Sequence, residues 1–364
     1  MIGAGRVAAV VVGFAVAVGT FGSAIRTVVL PRGNAPRITR QVFKTMRRLF
    51  WLRVGPRPTY ERIDRVLAPF APVSLIMLVF VWLALVMLGY AGIYLGDAGR
   101  SISDAIILSG SSLLTLGFVH PGHVGGVLIV LTEAAVGLVI IALLITYLPS
   151  IYGAFSRREQ MVAFMDTRAG SPPSAPALII RFWAIEWLQE ISDLWAPWET
   201  WFIDLQETHT TFPSLAFFRS PEPDQSWVTS AGVMLDTASL AVSAVDRPRD
   251  STAELFIRSG YLALRRIAAQ FPALISFPTD PAPSDPISIA REEFDEVWRR
   301  LEAAGVPLVD EPDDAWVAFK GWRVNYDAVL IGLARLTNAP YAPWISDRSL
   351  VRARPRRRLR RRAS

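Results

Sequence analysis

The chain has 364 residues, 52% of them hydrophobic, and a formal net charge of +6. It has no cysteine, which excludes disulfides, thiolate metal sites and cysteine catalysis, and its three histidines are too few for a histidine-rich metal site. The net charge is no sign of nucleic-acid binding, because it averages an arginine-rich segment at 32–65, an acidic region at 171–345 and an almost pure arginine tail from Arg348.

Residues 7–30 form an apolar run broken only by Thr20, Ser23 and Arg26, long enough for a spanning helix with Arg26 snorkelling to one face. A cleaved signal peptide is the rival reading, with Arg6 as its basic start. The apolar character continues through Val28, Val29 and Leu30, past any plausible cleavage point, which favours a retained anchor. The next segment, 32–67, mixes Arg37, Arg40, Lys44, Arg47, Arg48 and Arg53 with Val42, Phe43, Met46, Leu49 and Phe50 on one helical face. It reads either as an interfacial helix held by anionic membrane lipids, or as a loop whose role is to fix topology. Both readings keep it cytoplasmic, because short loops rich in Lys and Arg stay inside.

Val73 to Leu95 is uncharged and would be about 35 Å long as a helix, enough to cross a bilayer, with Tyr90 and Tyr94 near an interface. Ser101 or Ser103 can cap a short helix through Ser112, with Asp104 complementing its dipole. Two or three turns cannot span. Residues 124–148 then form a third apolar run, containing Glu133 and Gly137. The polar, glycine-bearing stretch Ser109 to His123 therefore lies between two spanning segments, where irregular backbone survives only if it is buried in protein or lines water. The expected fold is an all-α membrane protein with three transmembrane helices and a re-entrant pore loop, followed by an all-α cytoplasmic domain.

Ser112-Leu113-Leu114-Thr115-Leu116-Gly117-Phe118-Val119-His120 resembles the filter of the potassium-channel pore family: Thr, two variable residues, Thr, an aliphatic residue, Gly, an aromatic residue, Gly, Asp. Glu133, Gly137 and Ala142 are similar to the inner helix of its bacterial members, where an acid precedes a hinge glycine by one turn. The resemblance covers residues 68–150. It implies a homotetramer conducting potassium or another monovalent cation, with Thr115, Leu116, Gly117 and Phe118 as the ion filter, and Ser111, Ser112, Val119 and His120 at the pore helix and mouth. A dehydrated cation needs replacement oxygens, supplied by consecutive backbone carbonyls. Val119 in place of the outer glycine disfavours the outermost carbonyl ring, since a β-branched residue at positive φ is an outlier. His120 in place of the acid removes a negative charge from the mouth. Weak or altered selectivity is the expectation, and a non-conducting scaffold that keeps the channel fold is the alternative. Glu133 is expected to hold the filter by bonding the pore helix, for example near Ser111 or Ser112, the alternative being a neutral acid satisfied by Thr132 or a backbone carbonyl, and Gly137 to act as a hinge or close-packing site.

Residues 151–175 read as a helix continuing from the membrane to Gly170, then a linker. The acidic domain at 176–345 shows helical periodicity at 177–193, 197–209, 226–245, 251–271, 287–304 and 313–336, and no strand-like alternation. Trp183, Trp187, Trp195, Trp198, Trp201 and Phe202 have the spacing of helix core packing. His209 belongs by its neighbours to a turn before Pro213, and Asp310, Glu311, Asp313 and Asp314 to a helix N-terminus. Phosphate loops, nucleophile elbows, zinc signatures and kinase sets are missing, so catalytic residues, cofactors and bound metal are not expected and the protein is not read as an enzyme. The arginine tail, 346–364, is expected to be disordered and drawn to the anionic inner leaflet rather than to nucleic acid.

Overall fold

In the computed structural model, residues 2–30, 36–55, 58–96 and 100–348 are described; most of the arginine tail, from 349 on, lies outside them. Among these residues every regular element is helical, apart from one isolated antiparallel bridge between Val245 and Leu308. Two units divide the chain, one of residues 1–53 and 66–153, the other of 54–65 and 154–364. Three helical stretches are long and apolar enough to cross a membrane: Gly3–Val28, Tyr60–Tyr94 and Val124–Ala169.

The first unit begins with α1 (Ile2–Val28), α2 (Arg37–Val54), α3 (Tyr60–Leu67) and α4 (Phe70–Tyr94), although residues 54–65 belong to the second unit. Two further helices follow, α5 (Ile102–Leu113) and the first part of α6 (Val124–Ala169). Helix α1 packs along α4 through small residues. A side chain added at Gly13 would strike the Gly89 carbonyl, one at Gly89 would lie 2.9 Å from Ala17 N, and one at Gly92 would lie 2.9 Å from the Ala9 carbonyl. Ala9, Gly13 and Ala17 thus form a small-xxx-small row facing Gly89 and Gly92, which lets two backbones approach where lipid offers no hydrophobic drive between helices. This contact makes α1 a packed neighbour of α4. Gly13→Leu is expected to lower the stability of the detergent-solubilised protein by about 1–3 kcal/mol, the usual penalty for forcing bulk into a tight contact. Gly19→Leu, where an added Cβ meets nothing within 4 Å, is the control, and the shift in thermal unfolding midpoint is the measurement.

The basic segment is helical, but its apolar face is used differently from the expectation. Val42, Met46 and Phe50 are buried, and the Phe43 and Phe50 rings pack edge-on against Phe70 at 6.1 and 5.7 Å. Val42, Phe43, Met46 and Phe50 of this face are therefore committed to protein, not to lipid, while Leu49 stands 49% exposed.

The second unit surrounds α9 (Trp227–Ser243), a helix buried on nearly every side. Against it pack α7 (Ala175–Ala184), α10 (Ser251–Ala268), α12 (Pro312–Arg323) and α13 (Asp327–Thr337). Helix α8 (Trp195–Thr211) packs on α10, and α11 (Arg291–Ala303) on α7 and α12. Two expected helices are broken. The run 177–193 stops at Ala184, turns with Glu186 at φ +60°, and resumes as a 3-10 turn at Gln189–Leu194. The run 313–336 divides at residues 324–326, where the Asn325 amide group donates to the Gly321 and Trp322 carbonyls and closes α12. The break lets Arg323, Tyr326 and Asp327 all reach one buried polar cluster around Asp236.

The tryptophans also divide. Trp195, Trp198 and Trp201 are buried; Trp198 and Trp201 meet edge-on with centroids 4.9 Å apart, and Trp195 stacks on Phe256, as core packing requires. Trp183 and Trp187 instead stand 38% and 51% exposed at the strained turn. His209 lies inside α8, not in a turn; it is fully buried, its Nδ1 2.9 Å from the Leu205 carbonyl and its ring beside Trp227. Burial first, then the neighbouring Arg158 cation, hold its pKa well below the ordinary imidazole value, so it is a neutral core residue. Asp313 and Asp314 occupy the first turn of α12, and Asp313 pairs with Arg291 at 2.7 Å.

Candidate functional site

The stretch between α4 and α6 is built from α5 upward. Ser101 caps this helix by accepting the Asp104 N–H at 3.1 Å, and its hydroxyl donates to the Asp104 carboxylate at 2.7 Å. At 12 residues α5 is about 18 Å long, too short to span, and it packs on α4. Its buried face carries Ser109, Ser111 and Ser112, three hydroxyls that need partners.

Each finds a different one. Ser112 Oγ donates back to the Leu108 carbonyl at 2.8 Å and also hydrogen-bonds the Tyr94 hydroxyl on α4. Ser109 Oγ lies 2.5 Å from Glu133 Oε1 and 2.8 Å from the Met87 carbonyl. Glu133 is fully buried on α6, and its other oxygen accepts the Tyr94 hydroxyl at 2.8 Å. Nearby, the Tyr90 hydroxyl donates to Thr132 at 3.2 Å. One carboxylate thus joins α4, α5 and α6. The expected link from Glu133 to the short helix is present, but through Ser109 instead of Ser111 or Ser112.

Ser111 holds the loop. Its carbonyl accepts the Leu116 and Gly117 N–H groups at 2.8 and 3.3 Å, and its hydroxyl accepts those of Phe118 and Val119 at 3.1 and 3.4 Å. Four consecutive amides therefore converge on one serine. In a trans peptide the C=O of one residue is antiparallel to the N–H of the next, so the carbonyls of Thr115, Leu116, Gly117 and Phe118 point away from Ser111. Extended backbone alternates its peptide planes and could not do this. Here Thr115 at φ +55° and Gly117 at φ +70° alternate with ordinary residues and turn the planes the same way. Glycine adopts such an angle freely, whereas for the β-branched Thr115 it is an outlier of the kind stored at functional sites. Val119 does not lie in the left-handed region, so the alternation ends there.

The side chains of Thr115, Leu116 and Phe118 are exposed, Leu116 by 61% and Phe118 by 63%, as is His120. Gly137 faces the end of α5: a Cβ there would collide with the Leu113 carbonyl, which makes it a close-packing site. The exposed surface of α6 is sorted by size. Thr132, Ala135, Ala142, Thr146 and Ser150 share one stripe of small or hydroxyl residues, interrupted by Val139; Leu131, Leu138 and Ile145 share another. Among the described residues no group of three or more His, Asp or Glu is arranged to hold a metal ion. Serine at 111 as the organiser was not foreseen, since the filter resemblance began at Ser112; no local signal distinguishes the two.

No known protein family and no solved structure matches the chain. It is 22% identical over 274 residues to an uncharacterized membrane protein of Bacillus subtilis (strain 168), YdjJ, an alignment covering 72% of this chain and 76% of the relative. That relative and the three long apolar helices together make this an all-helical membrane protein.

Proposed function

We propose that the chain is the subunit of a potassium-channel-like homotetramer in which four copies of the loop Thr115–Phe118 surround an axial path for potassium or another monovalent cation. The observation that carries this reading is the run of four amides on Ser111. It turns four successive carbonyls to one side, and stacked carbonyls are what replaces the water of a dehydrated cation. One chain supplies one loop, and a closed ring of oxygens needs several. The exposure of Leu116 and Phe118, and the small hydroxyl-bearing stripe on α6, fit a neighbour and a wet path better than lipid. Val119 ends the alternation and His120 replaces the acid, so selectivity is weak or altered, and the second unit acts as regulator. The arginine-rich segment places residues 32–65 inside, hence the N-terminus outside and the second unit in the cytoplasm of a plasma membrane. No nucleic acid takes part. The second reading, a non-conducting scaffold that keeps this fold, draws on that same loss of the outer glycine and acid.

Cation flux through purified protein in vesicles tests the proposal, with the oligomeric state in detergent as its companion. Flux from a tetramer supports a channel; an inert tetramer supports the scaffold; a strict monomer removes the channel. Ser111→Ala leaves the backbone acceptor but orphans the Phe118 and Val119 amides, a loss of about 1–3 kcal/mol in loop order, and flux is expected to fall severalfold. Val119→Gly combined with His120→Asp is expected to raise potassium selectivity.

A further inference from the structure

Helix α2 carries Arg37, Arg40, Lys44, Arg47, Arg48 and Arg53 and no acidic residue. Its buried residues Thr39, Val42, Met46 and Phe50 follow the spacing of one helical face. The exposed residues Arg37, Arg40, Lys44 and Arg48 follow the same spacing displaced by two positions, which at about 100° per residue puts them on the opposite face. Leu52, 79% exposed, continues this cationic row one turn beyond Arg48, and Leu49 flanks it at 49% exposure.

The position of α2 is set by two contacts within its own unit. The Thr39 hydroxyl lies 2.7 Å from that of Thr27 in the last turn of α1, and Phe43 and Phe50 pack on Phe70, the first residue of α4. The helix is therefore held where one apolar helix ends and the next begins, at the level of a bilayer surface. A merely solvated face gains nothing from an apolar residue in line with its cations. A face lying on anionic headgroups does, because the cations meet phosphates while the leucines enter the acyl boundary.

We infer that the Arg37–Arg40–Lys44–Arg48 row, with Leu52, is a docking surface for the headgroups of anionic phospholipids, and that lipid bound there braces the ends of α1 and α4. The surface requires that the bundle span a membrane, but it is independent of whether the loop conducts.

The test uses the full chain in detergent micelles doped with phosphatidylglycerol or phosphatidylcholine. The thermal unfolding midpoint is recorded, and retained lipid is counted by native mass spectrometry. Phosphatidylglycerol is expected to raise the midpoint by several degrees and to be retained in preference to phosphatidylcholine. The quadruple variant Arg37→Gln, Arg40→Gln, Lys44→Gln, Arg48→Gln is expected to lose the rise and to drop retention about tenfold or more. Arg299→Gln with Arg300→Gln, exposed cations on α11, should leave both unchanged. The proposal is overturned if the quadruple variant keeps the response, if phosphatidylcholine gives the same rise, or if inorganic phosphate reproduces it. Retention and gel-filtration profile of the variant in phosphatidylcholine micelles establish that it is folded.

Discussion

Arg323→Leu is expected to destabilise the second unit by about 3–5 kcal/mol, the usual consequence of removing one partner from a buried ion pair. The guanidinium is fully buried and all three of its nitrogens are used. Nε donates to Asp327 at 2.9 Å, one terminal nitrogen to Asp236 at 2.5 Å, and the other to the Trp344 carbonyl at 2.6 Å. Asp236 is itself 2% exposed and also accepts the Tyr326 hydroxyl at 2.9 Å, while Asp327 accepts the Ser288 N–H and hydroxyl. Without the cation two carboxylates face one another in the core of α9, α12 and α13. Denaturant unfolding followed by tryptophan fluorescence reads the loss, since Trp195, Trp198, Trp201 and Trp227 all lie in this core. Arg323→Leu together with Asp236→Leu should recover part of it, because the second change removes one of the two stranded charges and leaves Asp327 with its Ser288 bonds. A single-variant loss below about 1 kcal/mol would show that water reaches and solvates Asp236.

Glu133→Ala carries the second large effect and acts in the other unit. The carboxylate is fully buried and partners Ser109 and Tyr94, so its removal takes the acceptor from the Tyr94 hydroxyl, leaves Ser109 only the Met87 carbonyl and opens a cavity between α4, α5 and α6. Each stranded polar group costs about 1–3 kcal/mol. The expected outcome is a marked fall in the unfolding midpoint and, on the channel reading, loss of cation flux, because the helix that presents Ser111 is no longer held. Glu133→Gln keeps an acceptor for Tyr94 and an amide able to donate to Ser109, and should retain much of both. Equal damage from the two variants would assign the role to charge instead of to the hydrogen bonds.

Local patterns carried far in this chain. Length and hydropathy were enough to find the apolar helices, and the Ser101 cap with Asp104 in the first turn was readable because capping acts within three residues. The Gly170 stop of α6, in the left-handed region at φ +78°, follows from a rule of the same range. The filter-like letters Thr115 to Phe118 were legible for the same reason. Where an expectation failed, a partner distant in the chain decided the matter. The apolar face of α2 could have met lipid or protein with equal ease on its periodicity; Phe70, twenty residues beyond Phe50, took it. The spacing of Trp183 and Trp187 suited a core no less than that of Trp198 and Trp201, but the turn at Glu186 carried the first pair outward.

The sequence by itself determined the helical class, the membrane-length segments and the short capped helix with its irregular loop, because each depends on hydrophobic period, capping and glycine tolerance within a few residues. Only the tertiary structure decided that Ser111 gathers the loop amides, that Ser109 is the partner of Glu133, that Gly13 meets Gly89, and that Arg323 closes the buried cluster. Hydrogen bonds and close contacts between elements depend on which faces meet, and adjacent serines or spaced glycines are chemically alike until packing gives one of them a neighbour.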